Sequence, residues 1–366
     1  RGNHTLKGVG GQWHVLAVSE VDGEPRAQPA LSEEADRRLA EVQPAAQGSR
    51  SWLSSRPWVV GIGVVLVPAL IAISIPLLRS GDSAVDVGTN SIARLNGGDG
   101  GLEQPTTALG ERPGAIGIGF GSLWVAEPDR GVVARVNLED GEIVDAGIRV
   151  GNSPAGIAFG EGSVWVTNGG DGTVSRINVD SNEVTDTLPA GSQPSGIAFG
   201  DGALWVADTI GGVLLRIDPE TGGSKAVALA GQPSGVVFTP EGDVWVTVGP
   251  AGVARVDPSD LSVTTQTVGN GPTAILAAFD SIWITNHLDG TVWRLQPSTG
   301  RLEATIQVGD GPNALATAGG SVWVANEFDG SITPIDPASN TAAPRVPVGG
   351  SAVSVASDGE DLWLAV

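Results

Sequence analysis

The sequence predicts an all-β fold: a seven-bladed propeller closed by N-terminal strands over residues 88–366, preceded by one transmembrane helix and a short β-hairpin. Three observations predict it. A tryptophan recurs seven times in one context, from "SLWVAE" to "DLWLAV", as Trp124, Trp165, Trp205, Trp245, Trp283, Trp323 and Trp363, about 40 residues apart. Each unit breaks at Gly, Asp and Pro into four short β-rich runs, which is the arithmetic of a propeller blade. The array also begins and ends on half a repeat. The seventh unit stops after its second strand at Val366, and "NSIARLNGGDGGLEQPTTALG" ahead of the first unit aligns with the back half of a blade. Those strands should complete blade seven and leave no free sheet edge.

Composition agrees. With 41% apolar residues and 17% charged, the 366-residue chain can bury a large core. It has no Cys, so disulfides, zinc–thiolate sites and cysteine nucleophiles are excluded. A net charge of −21 argues against a nucleic-acid partner, whose phosphates need Lys and Arg. A chain that starts at Arg1 and holds no Met reads as part of a longer polypeptide.

Taken in order, residues 1–18, "RGNHTLKGVGGQWHVLAV", read as two strands joined by a Gly-Val-Gly-Gly turn, a piece that needs a larger sheet to be stable. Residues 19–57 form a linker rich in Pro, Ala, Ser and charge. A short helix is expected near 31–42, with Ser32 as N-cap and Glu33 and Glu34 near its positive end. From Trp58 to Leu78 no residue is charged, and Arg56 and Arg79 bracket the stretch. That length spans a hydrocarbon core of roughly 30 Å as a helix. Residues 1–79 are net +1 and residues 80–366 net −22. Basic residues crowd the N-terminal side of the span, so the N-terminus is expected in the cytoplasm and the propeller outside the cell membrane.

Within the repeats, most recurring residues read as scaffold. The tryptophans should pack between blades, each worth a few kcal/mol (~3) when buried. The pairs Asp171-Gly172, Asp289-Gly290 and Asp329-Gly330 read as hairpin turns with both positions at positive φ. An Arg recurs on the third strand as Arg94, Arg135, Arg176, Arg216, Arg255 and Arg294, with Pro334 breaking the series. Function should sit where the repeats depart from one another, in the loops between second and third strands. The unusual residues there are Glu127, Asp129, Arg130, His287, Glu327 and Phe328. His287 and Glu327 occupy the same slot in neighbouring blades, and a His–carboxylate pair can do acid–base work or hold a metal.

The repeat unit resembles YVTN-type propeller repeats and, more loosely, streptogramin B lyase. The resemblance covers nearly all of residues 88–366 and implies fold rather than activity. The lyase family uses a metal with His and Glu, including a His just after a loop Pro. Here those positions read Pro154-Ala155, Pro194-Ser195, Pro233-Ser234, Pro272-Thr273 and Pro312-Asn313, and Glu127 alone stands where the lyase motif places its Glu. A lyase or hydrolase reading therefore has to rest on His287 and Glu327.

The hairpin at 1–18 resembles the last hairpin of a class III adenylate/guanylate cyclase domain, which commonly ends in a "G.H.LKG..G.W.L..V" pattern. That resemblance implies a cytosolic cyclase working as a homodimer with a divalent metal, Mg or Mn. Its catalytic residues would lie upstream of Arg1, so this chain is expected to be inactive alone and to hold no cofactor. Some members bring a Lys of this segment to the nucleotide phosphates, and Lys7 is the candidate here. The combined expectation is an outer propeller that binds a ligand or protein, tethered to cyclic-nucleotide synthesis inside. The alternatives are a propeller enzyme or an adhesion propeller.

Overall fold

A computed structural model describes residues 3–4, 13–14, 20–21, 24–25, 85–103, 106–250 and 252–366, and it divides the chain into two units, Arg1–Pro76 and Leu77–Val366. In the first unit Asn3–His4 pairs antiparallel with Trp13–His14, and Glu20–Val21 with Glu24–Pro25. The rest of the expected hairpin, the helix near 31–42 and the span at 58–78 lie outside the described residues. Among the described residues there is no helix, and so none long and apolar enough to cross a membrane.

The second unit is a seven-bladed propeller. Blade 2 is representative: Pro154–Gly160, Ser163–Asn168, Thr173–Asn178 and Glu183–Pro189 form an antiparallel meander from the axis outward. Blades 1, 3, 4 and 5 repeat it, and in blade 6 the outer strand is split into Thr341–Ala342 and Val346–Pro347. Blade 7 is built from both ends of the array. Ser354–Ser357 and Asp361–Ala365 pair with Ser91–Asn96 and Thr107–Ala108, Trp363 facing Arg94 and Leu364 facing Ala93. The ring closes as the two half repeats predict. The innermost strands touch their neighbours all the way round, including blade 7 against blade 1.

Alternation explains the sheet. Second strands are buried on both faces, because each is central in its blade and each blade is packed on both sides. Outer strands such as Glu183–Pro189 expose most positions, and they carry Thr, Asp and Glu. The core is seven separate clusters, one per junction, each joining a tryptophan of one blade to the aliphatic second and third strands of the next. Trp165 packs on Leu204, Val206 and Ile217, and Trp363 packs on Leu123, Val125 and Val136 of blade 1. All seven indoles are at most 2% exposed.

The Arg series is a second inter-blade device. Each Arg lies opposite the Trp in register, as Trp283 does Arg294, and four guanidinium groups sit 5.0–5.7 Å from the indole ring centre. Five of the six arginines reach the following blade just beyond its third strand, whereas Arg216 turns back to Asp201 of its own blade. Arg135 donates to Val179 O and Asn182 Oδ1, Arg294 to Pro337 O and Asn340 Oδ1, and Arg94 to Leu138 O. Arg94 thereby stitches the seam between blades 7 and 1.

One expectation is corrected. In the Asp-Gly turns glycine alone takes the left-handed conformation, with φ of +68° at Gly172, +64° at Gly290 and +61° at Gly330; the aspartates do not. The connection is longer than a two-residue turn, and Gly172 N–H closes back on Asn168 O. The carboxylates have another task. Asp171 accepts from Asn152 N and Nδ2, and Asp289 accepts from Asn270 N and Nδ2, tying each turn to the loop that leads into the same blade.

Candidate functional site

Pairing places the second-to-third-strand loops at the same end of the ring as the start of each innermost strand, since Pro154 faces Asn168 and Asn168 faces Thr173. All the loop candidates therefore share one face. In blades 2 and 3 the last residue of the second strand lies buried beneath it. Asn168 accepts from Gly151 N and donates to Thr173 and Ser175, while Asp208 accepts from Ser192 N, Gln193 N and Gly211 N. Those side chains are buried and act as loop ties. Glu127 belongs to this slot: it is 1% exposed and Arg130 Nη1 donates to its Oε2 at 2.8 Å. Asp129 is exposed on the loop between them.

Toward the axis the face carries hydroxyls. Ser195, Ser234 and Thr273, each following the loop proline, exchange hydrogen bonds at 2.8 Å with Thr209, Thr247 and Thr285. Thr209 donates in turn to Pro233 O and Thr247 to Thr273 O. Asn313 Nδ2 donates to Val353 O. These groups satisfy one another across blades and rigidify the mouth of the ring.

The two residues proposed as an acid–base pair do not bond to each other. A carbonyl can only accept, so His287 Nδ1–H donates to Pro312 O at 3.3 Å, and the imidazole packs edge-on against Phe328, ring centres 4.6 Å apart. Ser351 Oγ donates to the main-chain oxygen of Glu327, and among the described residues the Glu327 carboxylate has no hydrogen-bonding or ionic partner. No group of three or more His, Asp or Glu side chains among the described residues could hold a metal ion.

Of the large apolar side chains on this face, the sequence pointed to Phe328 and not to Leu288 or Ile210. The position after His287 and Glu327 holds Leu288 and Phe328, and blade 3 places Ile210 there. Their exposures, 73%, 67% and 66%, exceed those of every other exposed large apolar side chain among the described residues. Aligning turn positions across blades adds Leu288 and Ile210 to Phe328. Beside Phe328 lies an open cleft of about 590 Å³, lined by Glu327, Phe328, Asp329, Pro347, Gly349 and Ser351 among others.

No protein-family model matches the chain, and no curated protein matches it. Solved structures do resemble it. A catalytically inactive virginiamycin B lyase from Staphylococcus aureus with quinupristin superposes with TM-score 0.63 at 18% identity, over 75% of this chain and 99% of that one. A streptogramin B lyase gives 0.64 at 15% identity, over 75% and 94%. Kuenenia stuttgartiensis hydrazine synthase gives 0.59 at 15%, over 68% and 90%. At such identities the likeness is one of fold: this chain contains a streptogramin-lyase-like seven-bladed propeller.

Proposed function

We propose that the propeller is a binding domain that recognises a ligand or partner protein through its second-to-third-strand loop face. It would stand outside the cell, tethered by one span at 58–78 to a cytosolic class III nucleotidyl cyclase that pairs as a homodimer, with Lys7 near the nucleotide phosphates and Mg or Mn in the cyclase domain. One observation carries the binding role: the three most exposed large apolar side chains among the described residues, Leu288, Phe328 and Ile210, project from one turn position on one face. Large apolar side chains gathered on one exposed face mark interaction surfaces. The tether rests on the charge-free span and the charge asymmetry across it, and the cyclase on the 1–18 pattern.

Partner capture tests the face. Ile210→Ser with Leu288→Ser should abolish recovery of a defined partner that the unaltered chain recovers, while Phe120→Ser with Phe279→Ser, in turns at the other end of the blades, should not. Equal loss from both pairs, or from neither, defeats the reading. The chain has no cysteine, so topology can be read by single-cysteine labelling. A membrane-impermeant maleimide should label Ser224→Cys on intact cells and leave Ser49→Cys unlabelled until lysis. Absence of cyclase catalytic residues upstream of Arg1 in the reading frame would remove the cyclase. Lyase or hydrolase chemistry would instead require His287 and Glu327 to act together.

A further inference from the structure

The cleft beside Phe328 differs from the rest of the loop face in what borders it. The segment Val85–Gly88, through which the chain joins the propeller, runs as a strap along the split outer strand of blade 6. Val85 N–H donates to Pro347 O and Val87 N–H to Val348 O, and both valines are buried in the junction between blades 6 and 7. Pro347 and Gly349 therefore touch the strap while lining the cleft. The floor is thin: a Cβ on Gly349, whose φ is +80°, would lie 2.7 Å from Asp86 Oδ1, and one on Gly350 would lie 2.3 Å from Val366. Only glycines allow the strap and the last residue to approach this closely.

The charged residues that line the cleft are acidic, and the Arg345 guanidinium at its edge neutralises one of them. Asp329 is spoken for, accepting from Arg345 Nη1, Asp310 N and Ser331 Oγ. Glu327 has no such partner among the described residues, and Asp86 adds a second carboxylate at the strap. Phe328 supplies an aromatic wall, held upright by His287 at 4.6 Å. A carboxylate beside an exposed aromatic ring is the chemistry that selects an organic cation: the carboxylate supplies the counter-charge and the ring supplies apolar contact and its negative face.

We infer that this cleft binds an organic ammonium or guanidinium group carried on an apolar body, with Glu327 as counter-ion and Phe328 as wall, and that the strap Val85–Gly88 registers its occupancy. This rests on the loop face being a recognition surface, and it names the chemistry of the ligand there. Because Pro347 and Gly349 serve cleft and strap alike, a bound cation bears on the hydrogen bonds that fix the chain's route into the propeller.

The test titrates the full chain, in detergent, with phenethylammonium and with the neutral 2-phenylethanol, followed by calorimetry and by hydrogen exchange. The ammonium should bind at least about tenfold more tightly than the alcohol, a difference of about 1.4 kcal/mol. Glu327→Gln should erase that preference, Phe328→Ala should weaken both compounds, and the ammonium should slow exchange at Val85 and Val87. Both substitutions are at the surface and leave the blade cores intact. Equal affinity for the two compounds, an unchanged preference in Glu327→Gln, calcium chloride binding in place of the ammonium, or protection confined to other segments would each overturn the inference. If Ile210→Ser with Leu288→Ser still abolishes partner capture, the failure belongs to the cation site alone.

Discussion

Two junctions of the ring solve one problem differently. Between blades 5 and 6 the indole of Trp283 donates to Ala278 O within its own blade, and Arg294 crosses to hold Pro337 O at the end of the next blade's third strand. Between blades 6 and 7 the Arg is replaced by Pro334, which lies opposite Trp323 in register and has no side chain to reach across. There the indole itself crosses: Trp323 Nε1 donates to Gly97 O at 3.0 Å, at the corresponding place just after the third strand of blade 7. The carbonyl needs a donor, and whichever group can reach it is used. The same junction receives the strap, with Val87 fully buried and Val85 nearly so, so packing is added where the Arg clasp is missing. The irregular junction is also where the open cleft forms. Departure from the repeat, rather than the repeat, supplies the features on which a function can rest.

The largest expected effect lies in the tryptophans. Trp323→Ala should cost about 3–5 kcal/mol, as for other buried aromatics reduced to alanine, and more than Trp283→Ala, because Arg294 still clasps the other junction. Urea unfolding of both variants decides this, and equal losses would break the contrast. Next is Gly97→Ala. The added Cβ would lie 2.0 Å from Glu360 O and 2.7 Å from Ala318 Cβ, so a loss of about 3 kcal/mol is expected, at the upper end of overpacking costs. A thermal midpoint unchanged from the parent would show that the junction yields more easily than its geometry implies.

Arg294→Ala removes the two hydrogen bonds that cross to blade 6, those to Ser281 and Phe279 of its own blade, the Glu303 ion pair and the stacking on Trp283, and should cost about 1.5–3 kcal/mol. Pro334→Arg, by contrast, should change stability by less than about 0.5 kcal/mol, because Trp323 already occupies the carbonyl. A clear gain there would mean the crossing indole is a poor substitute. The smallest effect is electrostatic. The main-chain N–H of Asn270, followed by its side-chain amide, holds the Asp289 carboxyl below the ordinary aspartate value. A lowered folded-state value contributes stability above the unfolded-state midpoint and loses it as pH falls through the folded one. Asp289→Asn should therefore lower stability slightly at neutral pH and abolish the small further loss on acidification, as read by acid titration of the unfolding midpoint.

Much of the ring was legible because its determinants are local and periodic. Trp363 and Arg94 sit 269 positions apart in the chain, yet each stood in a repeat whose partner strand was missing, and their pairing followed from counting strands. The role of the tryptophans followed from the same periodicity. The double duty of the arginines did not, since a third-strand position says nothing about a carbonyl one blade away. Asp171 and Asp289 were read as turn formers, and their bonds to Asn152 and Asn270 depend on how two loops stack. At the candidate site Glu327 and Phe328 stood out as departures from the repeat, whereas the projection of Leu288 and Ile210 beside Phe328 and the lack of a partner for the Glu327 carboxylate depend on exposure and packing.

By itself, then, the sequence determined how many blades there are, where each strand runs and which ends must meet, because hydrophobic alternation and turn residues act over a few positions and repetition multiplies a weak signal. Tertiary structure alone decided which neighbour each side chain serves. His287 stacks on Phe328 rather than meeting Glu327, Trp323 replaces an arginine, and the strap abuts a cleft. Those outcomes depend on distances of a few ångströms between segments remote in the chain, and no local pattern encodes such distances.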